Sequence, residues 1–274
     1  MKEWTKTYHD ELQARIGALK AVVPTRLAQI TDARTTPALD DMPIGSAKRV
    51  RAAALFFDIE GFTSRTVSDD EAEMTRALEM LNYVIPTIMG VIYDHGGYIE
   101  KNTGDGVMAL FIADGSEADA VASALDAAVT CFFILRGFVN PHLVLRGIAP
   151  VNARIGVDFG PLLISKIGVP TGSADHPRNF LTAVGPTANI ACRLHEKAGT
   201  NQIWVGDLVY GLAPLRRDSM LPATPQEWPW IYRQSGGRYW VWHFNEIRVA
   251  PLLVTLEQIG ALQPVTTLGN LGRR

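Results

Sequence analysis

The chain has 274 residues, 47% hydrophobic and 20% charged, a composition that supports one sizeable core with appendages. Its formal charge is −2, from 26 basic and 28 acidic residues, so it lacks the electrostatic footprint of a DNA-binding or lipid-binding protein. A nucleotide can still bind at a local basic cluster.

The first residues, MKEWTKTYHDELQ, are charged and lack the apolar region of a signal peptide. The most apolar stretches, 84–93 and 127–135, are each well short of the roughly 20 residues a spanning helix needs. Cys131 and Cys192 sit in apolar helical patterns at no zinc spacing and read as buried free thiols. These features predict a soluble, cytoplasmic chain with no membrane and no nucleic-acid partner.

Residues 3–23 carry Trp4, Tyr8, Leu12, Ile16 and Leu19 at helical spacing, a stripe expected to pack on the body or on a second subunit, ordinary packing being favoured. Residues 31–47 read as a connector rich in Thr, Asp, Pro and Gly. A strand over 52–57 ends at Asp58, followed by a turn at Gly61 and a new segment opening at Phe62 and Thr63. Residues 70–93 form a helix with Met74, Leu78, Leu81, Ile85, Ile88 and Ile92 on its apolar face, kinked near Pro86 and ended by Gly96-Gly97. Strands at 98–101 and 107–112 flank Asn102-Thr103-Gly104-Asp105-Gly106, a hairpin signal. A second long helix covers 116–138, and strands at 153–157 and 162–167 read as a hairpin across Asp158-Phe159-Gly160-Pro161. A helix at 186–197, a strand at 202–205, an irregular stretch at 212–236 and an aromatic strand at 238–247 complete the body. The tail from Ala250 reads as a short helix or an extended strap. The predicted fold is α+β, a mostly antiparallel, ferredoxin-like sheet with helices on one face. Residues 1–47 are an N-terminal helix and connector, 48–249 one domain, and 250–274 a tail.

Asp58 closes a buried strand and Asp105 sits in a tight turn. If the two strands are neighbours, both carboxylates project from one end of the sheet. Magnesium typically takes one or two carboxylates together with substrate phosphates, and a pair of ions held so serves phosphoryl transfer. Alone, an Asp in a glycine-rich turn is more often a turn-former.

Four strings carry a more specific signal. FFDIEGFTSRT at 56–66, KNTGDGVMALF at 101–111, ARIGVDFGPLLISKIG at 153–168 and VGPTANIACRL at 184–194 resemble, in order, four motifs of the class III adenylyl and guanylyl cyclase catalytic domain. The resemblance implies a homodimeric nucleotidyl cyclase forming a 3′,5′-cyclic monophosphate and pyrophosphate, with two divalent cations, Mn²⁺ or Mg²⁺, per site. It implies that Asp58, Asp105 and the Ile59 carbonyl hold the metals and that the Phe62 and Thr63 N–H groups wrap the triphosphate. Asn189 and Arg193 match the pair that positions the ribose and stabilises charge on the α-phosphate, and Lys101 and Thr182 match the base-reading positions. In the family, metal residues come from one subunit and the base, Asn and Arg positions from the other. Pro186 departs from the usual Asp or Asn, a substitution the first helical turn tolerates. The family's late triphosphate-binding lysine has no clear match, with Arg233 and Arg238 the nearest basic residues.

The base is less decided. Lysine donates, whereas threonine donates or accepts, so Lys101 and Thr182 suit the polar edge of adenine, cytosine or uracil. The segment DMPIGSAKRVRAAALFFDIEGFTSRT and the aromatic strand are similar to bacterial pyrimidine cyclases of Pycsar anti-phage systems, whose product activates a separate effector. That resemblance implies UTP, with CTP and ATP as alternatives. A degenerate cyclase fold serving only as a binding module is the non-enzyme rival, and a diguanylate cyclase is disfavoured by the lack of a GGDEF-like hairpin. The six histidines, including His95, His176 and His195, read as surface or turn residues.

Overall fold

The structure is a computed structural model that describes residues 5–38, 41–168 and 179–246. Trp4, His176, the expected strand's end at Ile247 and the tail from Ala250 lie outside the described residues.

Helix α1 (Lys6–Leu27) starts at Thr5, whose hydroxyl accepts from the Tyr8 N–H, and it buries no residue. Tyr8, Leu12 and Leu19 of the apolar stripe are partly buried and Ile16 is exposed, so the stripe adds nothing to the core. Its last turn is tied to the body, where Arg26 Nη1 donates to the Ile44 carbonyl at 2.5 Å. Strand β1 (Thr31–Asp32) adds a short parallel pairing to β2 (Ala47–Ile59), the centre of the sheet.

β2 runs longer than expected because both of its faces find a partner. Ala53, Leu55, Phe57 and Ile59 face one cluster, while Val50, Ala52 and Ala54 face another. Fully burying a side chain such as Leu55 contributes about 1.5–3 kcal/mol, so this strand dominates the core. After Gly61, in the left-handed region at φ 70°, comes the single turn α2 (Phe62–Arg65). Helix α3 (Glu71–Asp94) begins at Asp70, which accepts from the Ala72 N–H at 2.7 Å, and carries Glu71 and Glu73 in its first turn. Its buried face is Met80, Val84, Ile85, Ile88, Val91 and Ile92, whereas Met74 and Leu78 of the expected stripe are exposed.

Strands β3 (Tyr98–Asn102) and β4 (Gly106–Ile112) form the expected hairpin, with a register shift between Ile99 and Lys101 that leaves Glu100 as the extra residue of a bulge. Helix α4 (Glu117–Ile134) continues through a π-helical turn, Leu135–Val139, into α5 (Asn140–Leu145). The helix therefore runs past the expected end at 138. The π-helical turn directly precedes Asn140-Pro141, and the Asn140 side chain clamps the backbone of Val151. The continuous helix 117–145 is long and apolar enough to cross a membrane, which corrects the expectation drawn from its separate apolar stretches. Half of its most apolar window is buried, and α4 packs against β2, β4 and β5, as a core helix does.

The expected hairpin at 153–167 is instead one strand, β5 (Ala153–Gly168), antiparallel to β2 along its length. Gly156 and Gly160 are sites of close approach rather than turn residues. A Cβ on Gly156 would collide with the Ala191 carbonyl, and one on Gly160 would lie 2.6 Å from Thr187 Oγ1. Both contacts come from α6 (Pro186–Lys197), which crosses the face opposite α3 and α4. β6 (Asn179–Val184), a strand that no periodicity in the sequence announces, pairs with the second half of β5, and β7 (Ile203–Gly206) runs parallel to the first half. Helix α7 (Asp207–Leu212), a 3₁₀ turn (Pro214–Ser219) and strands β8 (Met220–Pro222) and β9 (Val241–Phe244) complete a nine-stranded sheet of order β3-β4-β2-β5-β7-β9-β8, with β1 on β2 and β6 on β5. The expected α+β architecture with a mostly antiparallel sheet holds, but α6 covers the second face, so the helices do not all lie on one.

Asp158, expected in a turn, is buried within β5. Its Oδ1 accepts from the Tyr239 hydroxyl at 2.6 Å, and a Cβ on Gly206 would collide with that oxygen. Burial pushes its carboxyl up to about 8, against the pull of the Tyr239 and Phe159 hydrogen bonds. Between pH 4 and 8 the unfolded chain ionises this group while the folded chain keeps it protonated, so stability falls as pH rises through that window. Asp158→Asn keeps an acceptor for Tyr239 and cannot ionise. Thermal melts from pH 5 to 8 are therefore expected to show the variant gaining steadily on the wild type, by about 1–3 kcal/mol at pH 8. A constant difference across the range would refute this.

Candidate active site

The backbone ladder sets the site. Asp58, at the end of β2, lies opposite Gly106 of β4 on one side and opposite Arg154 of β5 on the other. The Ile59 N–H donates to the Asp105 carbonyl at 3.1 Å, which ties the hairpin turn to the end of β2. That turn is built by Gly104, at φ 101°, and by Asn102 Oδ1, which accepts from the Gly104 N–H at 2.7 Å. Gly106 has to be small, since a Cβ there would lie 2.8 Å from the Phe57 carbonyl and 3.3 Å from Asp58 Oδ1.

Asp58 and Asp105 thus occupy the same end of neighbouring strands. Burial first, and the Asp105 charge second, raise the Asp58 carboxyl to about 6, while Arg154 works in the other direction. Two acidic groups that repel one another in a half-buried position are a donor set a hard cation relieves. Among the described residues no group of three or more His, Cys, Asp and Glu side chains could form a closed metal cage. The pair instead suits a divalent ion that also takes oxygens from a phosphate ligand. Both carboxylates and the Ile59 carbonyl position fit that role.

Arg154 carries no signal of its own in the sequence. Its Nη2 lies 3.9 Å from Asp58 Oδ2, and its Nε is buried without a hydrogen-bond partner. Its Nη1 donates to the Glu196 carbonyl at 3.4 Å, so the guanidinium links the acidic end of β2 to α6. The alternation of ARIGV puts Arg154 and Gly156 on the face opposite Ile155 and Val157, but only the pairing with Asp58 shows what the arginine is near. Arg238, one of the basic residues considered for the triphosphate, donates to the Pro225 carbonyl at 2.6 Å and stacks over Trp240, so it serves its own loop.

Phe62 and Thr63 form the first turn of α2, where backbone N–H groups have no partner one turn back. Arg65 anchors this turn through the carbonyls of Ala149 and Pro150. Asn189 and Arg193 share the outer face of α6, and both are exposed, Arg193 by 63% and held by Glu196 at 2.6 Å. Cys192 flanks the buried side of the same helix, its thiol raised by burial and, among its neighbours, by the charges of Glu196 and Asp58. The structure therefore gathers Asp58, Ile59, Asp105 and Arg154 at one place and turns Asn189 and Arg193 outwards. Lys101 and Thr182, distant in sequence, are brought together on β3 and β6 through Glu100.

Two side-chain expectations change. His195 is mostly buried and stacks on Phe56, with ring centroids 5.6 Å apart, rather than lying on the surface. Burial lowers its pKa. Cys131 is a buried free thiol as expected, whereas Cys192 is half-buried.

Residues 46–220 match the family model described as the adenylate and guanylate cyclase catalytic domain. An adenylate cyclase of Anabaena cylindrica is 26% identical over 188 residues, covering 68% of this chain and 34% of that protein. The fold of the chain is that of the guanylyl cyclase Cya2 (TM-score 0.59, 24% identity, 74% of this chain and 96% of that one) and of the adenylyl cyclase CyaB from P. aeruginosa (TM-score 0.58, 20% identity, 74% and 98%). The chain spans about a third of the length of the curated relative.

Proposed function

The chain belongs to the adenylate and guanylate cyclase catalytic domain family, and from that premise we propose that it cyclises UTP to the 3′,5′-cyclic monophosphate with release of pyrophosphate, at a site shared by two copies of the chain. The observation that carries the cyclase reading is the meeting of Asp58 and Asp105 beside Arg154 at one end of the sheet. In this reading residues 48–249 are the catalytic domain.

The reaction joins the ribose 3′-oxygen to the α-phosphorus while the bond to the β-phosphate oxygen breaks, so positioning and charge neutralisation carry most of the acceleration. Two divalent cations, Mn²⁺ or Mg²⁺, held by Asp58, Asp105 and the Ile59 carbonyl would supply Lewis acidity to the phosphates and the 3′-hydroxyl. The Arg154 guanidinium beside Asp58 adds positive charge for the triphosphate, and the N–H groups of Phe62 and Thr63 bind its oxygens. Asn189 of the second copy orients the ribose, and Arg193 of that copy meets the charge that builds on the α-phosphate. The outward aim of both residues supports a homodimer, as do Ile167, Phe180 and Val184, exposed apolar residues on the β5–β6 arm.

The choice of UTP rests on the similarity of the segment entering β2 and of the aromatic final strand to pyrimidine cyclases of anti-phage defence. The product in that setting is a second messenger for a separate effector. ATP is the second reading, favoured by the naming of the matched relative as an adenylate cyclase. Incubation with Mn²⁺ and an equal mixture of ATP, GTP, CTP and UTP, followed by mass spectrometry, is expected to yield cyclic UMP as the main product. Cyclic AMP as main product would replace the first reading with the second, and no pyrophosphate release from any nucleotide would leave a binding module.

A further inference from the structure

Glu100 is the extra residue of the bulge between Ile99 and Lys101 on β3. Bulges beside functional sites re-aim a side chain, and this one turns a carboxylate towards β6. The side chain is 1% exposed. Its Oε1 accepts from Thr182 Oγ1 at 3.1 Å and from the Ala183 N–H at 2.9 Å. Its Oε2 lies 3.1 Å from Lys101 Nζ, an ion pair by distance, and makes no hydrogen bond. One buried acidic side chain therefore touches both residues that read the base.

We propose that Glu100 is a positioning residue that fixes the polarity of the base-reading pair, an inference that rests on the cyclase reading above. Threonine's hydroxyl has one proton and two lone pairs. Because Thr182 gives its proton to Glu100, it offers an incoming base lone pairs only. Lys101, held at the other oxygen, offers N–H donors only. The ambiguity that Lys/Thr leaves in the sequence is removed: the site presents one fixed donor and one fixed acceptor. Uracil and guanine carry the matching acceptor on an exocyclic oxygen and the donor in the ring, whereas cytosine and adenine carry them the other way round. A fixed donor and acceptor therefore separate oxo from amino bases. A threonine free to rotate accepts either kind.

Binding of the 3′-deoxy forms of ATP, GTP, CTP and UTP, which lack the attacking hydroxyl, reads base selection whether or not the protein turns over. Dissociation constants are measured by calorimetry in the presence of Mn²⁺, and pyrophosphate release from the ordinary nucleotides is followed separately. Glu100→Leu removes the acceptor and is expected to reduce the ratio of oxo to amino affinity, in whichever direction it lies, by about tenfold. Glu100→Gln keeps an acceptor for Thr182 and Ala183 and is expected to hold the ratio within about threefold. In a Thr182→Val background, Glu100→Leu is expected to have no further effect on the ratio. Thr182→Val alone tests the idea if Glu100→Leu does not fold, and an unchanged ratio in it would overturn the proposal. Equal weakening of all four nucleotides by Glu100→Leu, or no preference in the wild type, would do the same. Lack of pyrophosphate release with intact base selection would remove the cyclase reading alone.

Discussion

Asp58→Ala and Asp105→Ala are each expected to lower the rate of pyrophosphate release by a factor of about 10³ or more while leaving a folded protein. The rate loss follows from the geometry. The two carboxylates stand at the ends of paired strands, and Arg154 alone cannot neutralise a triphosphate there. The persistence of the fold follows from the energetics. Asp58 is raised to about 6 by burial and by Asp105, so from pH 4 to 6 the unfolded chain ionises first and the group costs the folded state stability. Removing it at pH 7.5 takes away a repulsion, and the melting temperature is expected to stay level or rise. Added Mn²⁺ should raise the wild-type melting temperature and have much less effect on either variant, because ligand that binds only the folded state stabilises it by mass action. Turnover within tenfold of wild type in either variant would take the acidic pair out of the reaction.

What the sequence makes legible is the part of the site encoded by neighbours in the chain. Asp58 follows an apolar run and Asp105 lies among glycines, so strand ends and turn chemistry locate both. Asn189 and Arg193 stand four residues apart, a spacing that by itself puts them on one helical face. The errors have a common physical origin, residues whose role is set by something crossing from elsewhere. Asp158-Phe159-Gly160-Pro161 looks like a turn, yet Gly160 is small because Thr187 of α6 passes over it. The helix expected to end at 138 continues to 145 through a π-helical turn, with Asn140 clamped to Val151. Met74 and Leu78 keep the period of α3 yet lie beyond the edge of the sheet's cover. Arg154 and Glu100 escape a reading by period because a register pairing and a bulge aim them at the site.

The shared-site reading has its own large expected effect. Arg193→Ala should be nearly inactive alone, as should Asp58→Ala, yet a mixture of the two proteins should recover activity. Asn189 and Arg193 share the exposed face of α6, about 100° or more from the residues that α6 buries against the sheet. Arg193 is exposed and held only by Glu196, a weak surface pair that a phosphate competes with readily. In the shared-site reading its charge acts at the acidic pair of another copy. Random exchange of subunits makes half of the dimers mixed, each with one intact site of two, so about a quarter of wild-type activity should return. Subunit exchange is checked independently by native mass spectrometry of differently tagged chains. If mixed dimers form and the activity stays at the sum of the separate variants, Arg193 does not act across the interface, and the outward face of α6 needs another explanation.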